Sequence, residues 1–165
     1  MNAWLGGSAV EDFALTPAEQ ALFRALVARR VRFMIIGLGA ALVEGAAVAT
    51  QDIDLWFEHT MDPEVANAAR DAGGFFISGF GMQPPAFGGE GFERLDIVLT
   101  ASGLRAFADE LEHTNEREID GIAIRVLGLE RILTSKKAAG RPKDLAAIPA
   151  LEAALAAKAA RDCSQ

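Results

Sequence analysis

Apolar and polar positions run along this chain with two periods, and the switches between them mark out its elements. Thr16-Pro17-Ala18-Glu19 reads as a helix start: Thr16 can cap, Pro17 suits the first turn and Glu19 can complete a capping box. Leu22, Leu26 and Val27 follow at helical spacing, and Arg29-Arg30 fall where the helix dipole favours cations. Arg32–Ile36 reads as a short buried strand, broken at Gly37-Leu38-Gly39, and Ala40–Glu44 as a short helix ended by Gly45. Gln51–Glu58 has the period of a strand, with Asp52 and Asp54 on one side and Ile53 and Leu55 on the other. Pro63–Ala72, capped by Asp62, is predicted helical and Gly74–Ser78 a strand. Residues 79–91, rich in glycine and proline, read as a long mobile loop. Phe92–Leu99 is a strand with Asp96 at its middle, and Ser102–Glu112 is a helix. Asp120-Gly121, between Arg117–Ile119 and Ile122–Val126, predicts a hairpin. Two helices, Gly128–Ala139 and Lys143–Arg161, follow on either side of Gly140-Arg141-Pro142.

Helices interleaved with about five strands predict an α/β (α+β) fold, a mixed sheet flanked by helices with further helices at the C-terminus. No linker or repeat divides the chain. Residues 1–165 are therefore expected to form one domain, its core over about 16–127 and its terminal helices over about 128–161.

Composition narrows the classes. At 51% hydrophobic residues the chain has enough apolar surface for a core, which excludes disorder as its main state. Acidic residues number 23 against 16 basic ones, and the formal charge of −7 speaks against a broad nucleic-acid surface. The single cysteine, Cys163, excludes an internal disulfide and a cysteine-cluster zinc site and fits a reducing compartment. Met1 to Phe13 holds no cation ahead of its apolar residues, so no secretory signal is expected. The longest apolar run, Phe33–Val43, is closed by Glu44 and falls short of the ~20 residues a membrane span needs. The expectation is a cytoplasmic domain with no membrane partner.

Four features carry candidate chemistry. Asp52 and Asp54 share a strand face inside an apolar run, where like charges repel unless water or a cation compensates. Carboxylates so close suit Mg²⁺, which takes oxygen ligands; a solvated edge strand would carry them equally well. Asp96 sits among Leu95, Ile97 and Val98. It converges on the pair if the two strands are neighbours, or else faces Arg94 or Arg125 at the surface. Gly37-Leu38-Gly39 turns a strand into a helix, and amides at such a start can bind phosphate. A tight turn explains it as well, and Leu42 stands where a dinucleotide fingerprint needs its third glycine. Finally, Arg131, Lys136, Lys137, Arg141 and Lys143 outnumber Glu130 and Asp144 in a basic segment that could grip a triphosphate or an acceptor, or simply solvate helix ends. His59 and His113 lack ligand spacing, and no serine or cysteine nucleophile pattern is present. Phe33, Phe75, Phe76, Phe80 and Phe92 read as packing residues.

In their order these stretches resemble the nucleotidyltransferase superfamily, in particular its small bacterial members: the minimal nucleotidyltransferases and the toxin-type enzymes of abortive-infection systems. The matching stretches are Phe33-Met34-Ile35-Ile36-Gly37 through Gly45, Thr50-Gln51-Asp52-Ile53-Asp54-Leu55, Leu95-Asp96-Ile97, and K-x-x-A-x-R-x-K-D from Lys136 to Asp144. They span residues 33 to 144.

The resemblance implies an enzyme that moves a nucleoside monophosphate from an NTP to a hydroxyl on RNA, protein or a small molecule. Asp52 and Asp54 would hold Mg²⁺ or Mn²⁺ with the nucleotide phosphates. Asp96 would hold one ion and help activate the acceptor. Gly37, Leu38, Gly39 and Thr50 would border the nucleotide, and Lys136, Arg141 and Lys143 would contact triphosphate or acceptor. It also implies a tRNA or protein acceptor and an antitoxin or helical partner chain. Two positions depart from the pattern: Leu38 follows Gly37 where the family has glycine or serine, and Val48 stands where many relatives carry arginine. They favour an alternative, a protein of this fold that binds nucleotide or a partner without turnover. A metal-dependent phosphohydrolase is a third reading.

Overall fold

The computed structural model describes residues 13–164. In chain order the elements are α1 (Pro17–Ala28), β1 (Phe33–Ile36), α2 (Gly37–Val43), β2 (Ile53–Phe57), α3 (Pro63–Asp71), β3 (Phe75–Ile77), β4 (Ala86–Gly88), β5 (Leu95–Val98), α4 (Phe107–Leu111), β6 (Thr114–Ile119), β7 (Ile122–Leu127), α5 (Leu129–Ala139) and α6 (Pro142–Asp162).

Five strands form a mixed sheet in the order β5-β2-β1-β7-β6. β1 runs antiparallel to β2 and parallel to β7, and β5 runs parallel to β2. β6 and β7 are the hairpin predicted around Asp120-Gly121, whose φ angles of 49° and 76° suit the tight turn that matches strand twist. β1 is buried along its whole length, as helices on both faces require. α1 packs on α3 and β7, and α2 packs on α5, which in turn packs on α6. The capping box at α1 forms as predicted: Glu19 N–H donates to Thr16 Oγ1 at 3.2 Å, and Thr16 N–H to the Glu19 carboxylate at 2.9 Å. The same buried Glu19 carboxylate takes two bonds from Arg94, so Arg94 is engaged away from Asp96.

Two stretches differ from the sequence reading. The segment 79–91 contains β4, which pairs antiparallel with β3 in a separate two-stranded sheet. Its glycines disguised it. A Cβ on Gly88 would collide with the Phe75 ring across the pair, so glycine here is the floor an aromatic ring lies on. Phe87 anchors this small sheet to the core by an edge contact with Phe57 and packs edge-on against its cross-strand partner Phe76. The helix expected over Ser102–Glu112 shrinks to Phe107–Leu111. Gly103 adopts φ 71°, and the Arg105 N–H donates to the Glu110 side chain at 2.9 Å, so this stretch closes on a side chain where a helix would use backbone carbonyls.

Candidate active site

The parallel pairing of β2 and β5 sets Asp54 directly beside Asp96 in register. Asp52 lies two residues earlier, and its N–H donates to Thr50 Oγ1 at 3.2 Å. Asp54 is half-buried, while Asp52 and Asp96 are exposed. Burial pushes the Asp54 carboxyl above the usual carboxylate range, the charge of Asp96 pushes it further, and Asp52 adds to this; Lys136 and Lys143 pull the other way.

Gly37 follows β1 directly and opens α2 with φ 68°. A Cβ there would overlap the Asp54 carboxylate, so the glycine is what lets Asp54 lie against the turn. Leu38 faces the same cavity. Gly39 does not: it is buried in α2 beneath the Phe13 ring and lines no part of the cavity.

The opposite wall comes from α5 and the start of α6. Asp144, fully buried, accepts from Lys136 Nζ at 2.9 Å and from the Arg141 guanidinium on both oxygens. The bonds from Arg141, and then from Lys136, hold its carboxyl at about 2 against the opposing effect of burial. One buried acid thus presents two cations at the cavity rim. Lys143 lines the cavity too and enters no ion pair among the described residues. The basic segment is not one patch, however. Arg131 turns away to the buried Glu110 and Lys137 to Glu152 at 3.1 Å, because both point off the cavity side of α5.

Between these walls lies a cavity of about 600 Å³, a size that suits a small-molecule ligand. It brings together Asp52, Asp54, Asp96, Gly37, Leu38, Thr50, Lys136, Arg141 and Lys143. No residue of 79–91 lines it, so that segment is not beside the carboxylates. Thr100, Ser102, Ser135 and Asp144 line it as well. The first three belong to no motif; Asp144 was legible only as one charge in the K-D pair, and its fold-back onto Lys136 needs the helix turn at Gly140.

No group of three acidic, histidine or cysteine side chains among the described residues is arranged to hold a metal ion. The donor chemistry of Asp52, Asp54 and Asp96 nevertheless fits a hard divalent cation: six carboxylate oxygens, no sulfur or imidazole, and a half-buried Asp54 whose charge Asp96 and Asp52 disfavour. None of the three carboxylates belongs to an ion pair among the described residues.

The five-stranded mixed sheet flanked by helices, with two C-terminal helices closing a carboxylate-lined cavity, is consistent with a nucleotidyltransferase-like fold. The chain is similar to the antibiotic-resistance factor ANT(2'')-Ia in two determinations. Its solution structure is 18% identical with a TM-score of 0.55, covering 89% of this chain and 92% of that one. Its crystal structure in complex with adenylyl-2''-tobramycin is 19% identical with a TM-score of 0.55, covering 84% and 88%. At that identity the likeness is one of fold. No family model and no curated protein matches the chain.

Proposed function

We propose that this protein is a nucleotidyltransferase, which moves a nucleoside monophosphate from an NTP to a hydroxyl acceptor with Mg²⁺ or Mn²⁺. The observation that carries this is Asp54 in register with Asp96, across a cavity of about 600 Å³ from Lys136, Arg141 and Lys143. Acid on one wall and base on the other is the charge pattern a metal–triphosphate needs. Asp52, Asp54 and Asp96 would hold the divalent cation, which would neutralise charge on the phosphates. Lys136, Arg141 and Lys143 would take the triphosphate oxygens, and the Gly37 turn would border them. The acceptor oxygen attacks the α-phosphorus, the bond to the β-phosphate breaks and pyrophosphate leaves. Asp96, the more exposed carboxylate of the registered pair, is the group that would take the acceptor's proton.

The resemblance in sequence favours a macromolecular acceptor such as tRNA or a protein, and an antitoxin partner. The adenylylated tobramycin bound to the structural relative favours a small polyhydroxylated acceptor. We take the small acceptor as the better reading, because the rim cations of the cavity are few and the chain is acidic overall. The test is transfer of label from α-labelled NTP, with Mg²⁺, to aminoglycosides, tRNA and protein in parallel. Label on an acceptor that vanishes in Asp54→Ala supports transfer. NTP binding without transfer to any acceptor would establish the second reading, a nucleotide-binding protein without turnover, which Leu38 at the cavity wall favours.

A further inference from the structure

The far ends of β1 and β7 carry a second feature. Ile36 and Leu127 reach the carboxylate cavity, whereas Phe33, at the other end of β1, and Ala123 to Arg125, earlier along β7, line a separate groove of about 320 Å³. Its apolar surface comes from Val27, 43% exposed, with Leu111 and Ala123 beside it, over the buried Val31 and Ile124. Its rim is Arg30, Arg32 and Arg125, and no acidic residue lines it. In a chain of net charge −7 the charged lining of this groove is entirely cationic, with acids only behind it, at Glu58 and at Glu116, the cross-strand neighbour of Arg125. Arg32 is engaged with Glu58 at 3.1 Å. Arg30 and Arg125 enter no ion pair among the described residues.

The backbone at Arg30 adds an independent observation. α1, α2 and α3 end in the same pair of bonds. Arg30 N–H donates to the Val27 carbonyl and Val31 N–H to that of Leu26; the equivalents are Gly45 to Leu42 with Ala46 to Ala41, and Gly73 to Arg70 with Gly74 to Ala69. The motif puts its pivot residue in the left-handed region, which is why glycine usually fills it. Gly45 and Gly73 do so with φ 97° and 84°, but at α1 the pivot is Arg30, with φ 57°. At α1 an arginine thus occupies the left-handed position that glycine fills at the two sister termini, a conformation less favourable for a residue with a Cβ.

We propose that this groove is a second binding site, for a small amphiphilic organic anion: one carboxylate, sulfonate or phosphate group on an apolar body. The body covers Val27, Leu111 and Ala123, and the Arg30 and Arg125 guanidiniums take the anion through charge-assisted hydrogen bonds. Its volume is at the lower end for small-molecule sites, so the ligand is one or two rings or a short chain. The apolar floor favours such a molecule over the phosphodiester backbone of a nucleic acid, which would leave Val27 uncovered.

The test is a methyl NMR titration of the full chain with 1-naphthoate, with neutral 1-naphthalenemethanol and with acetate. Naphthoate should shift the Val27, Leu111 and Ala123 methyl signals saturably and bind about ten-fold tighter than the alcohol, the margin a hydrogen bond to a charged group provides. Acetate alone should not shift them. Arg30→Gly should lose that margin while melting no lower than wild type, and Arg125→Gln should lose it too. Asp54→Asn should bind naphthoate as wild type does, which separates this site from the carboxylate cavity. Equal affinity for acid and alcohol, unchanged binding in both arginine variants, or displacement of naphthoate by single-stranded RNA at lower concentration would each overturn the proposal.

Discussion

Gly37 and Asp54 compete for one volume: the Asp54 carboxylate lies where a side chain on residue 37 would be. The strand-to-helix turn and the carboxylate strand are therefore matched. Gly37→Ala should cost on the order of 1–2 kcal/mol from the left-handed backbone alone, with overlap added. It should also abolish transfer by pushing Asp54 out of place. In an Asp54→Ala background the same substitution should cost less by about 1 kcal/mol, since the overlap is gone. Urea denaturation of the four proteins measures the difference, and equal costs in both backgrounds would mean the two residues are independent.

Asp54 is held in a state that opposes folding. Its carboxyl is raised in the folded protein, so the native state keeps a proton that the unfolded chain releases. Its contribution to stability is greatest below the ordinary carboxylate value and falls as pH rises through the raised one. At neutral pH Asp54→Asn should accordingly raise the melting temperature of the metal-free protein while reducing transfer to background. For the same reason the affinity for divalent ions should weaken as pH falls through the raised value. A melting temperature that drops in Asp54→Asn at neutral pH would contradict the burial and repulsion at this site.

Metal should reverse that opposition. Mg²⁺ or Mn²⁺ at about 100 times its dissociation constant should stabilise the wild type by ~2.7 kcal/mol if it binds the native state alone. The Asp52→Ala/Asp54→Ala double variant should show no such shift in a thermal melt.

Much of this was legible because local chemistry and global fold agree. The capping box at Thr16, the Asp120-Gly121 turn and the two-residue period around Asp54 each name their element from a few adjacent residues. Convergence of Asp54 with Asp96 was conditional in the sequence, since 42 positions separate them and only strand order makes them neighbours. β4 was hidden because its glycine serves an aromatic partner, and strand propensity does not see cross-strand rings. The role of Asp144 was hidden because a charge run in sequence does not reveal which member is buried; here the acid is fully buried and Arg141 stays exposed.

Asp144 organises rather than merely neutralises. Removing one partner of a buried ion pair typically costs ~3–5 kcal/mol. Asp144→Ala should lie near the lower end, because the Arg141 side chain is 59% exposed and can turn to water. Its carboxyl, lowered to about 2, contributes stability that is complete above the ordinary aspartate range and lost as pH falls through about 2. With Lys136 and Arg141 released, the KM for NTP should rise more than kcat falls in Asp144→Asn. Steady-state kinetics on that variant separates the two, and an unchanged KM would show that the rim cations do not bind the nucleotide.

Leu38 places an apolar side chain in the cavity next to the Gly37 turn that would border the triphosphate. It lines the wall beside Gly37, yet it offers neither hydroxyl nor charge, and part of its side chain packs on the core. Leu38→Ser would open space and supply a donor at the start of α2. A hydrogen bond to a charged group contributes ~1.5–3 kcal/mol, so NTP affinity should rise about ten-fold or more. Losing the partly buried leucine works against stability, by ~1–2 kcal/mol for an incompletely buried aliphatic side chain. Tighter NTP binding with a lower melting temperature is therefore the expected pair of results, read by calorimetric titration and thermal unfolding. If affinity falls instead, Leu38 contacts the nucleotide base or ribose, and the phosphates lie nearer Lys136 and Lys143 than the Gly37 turn.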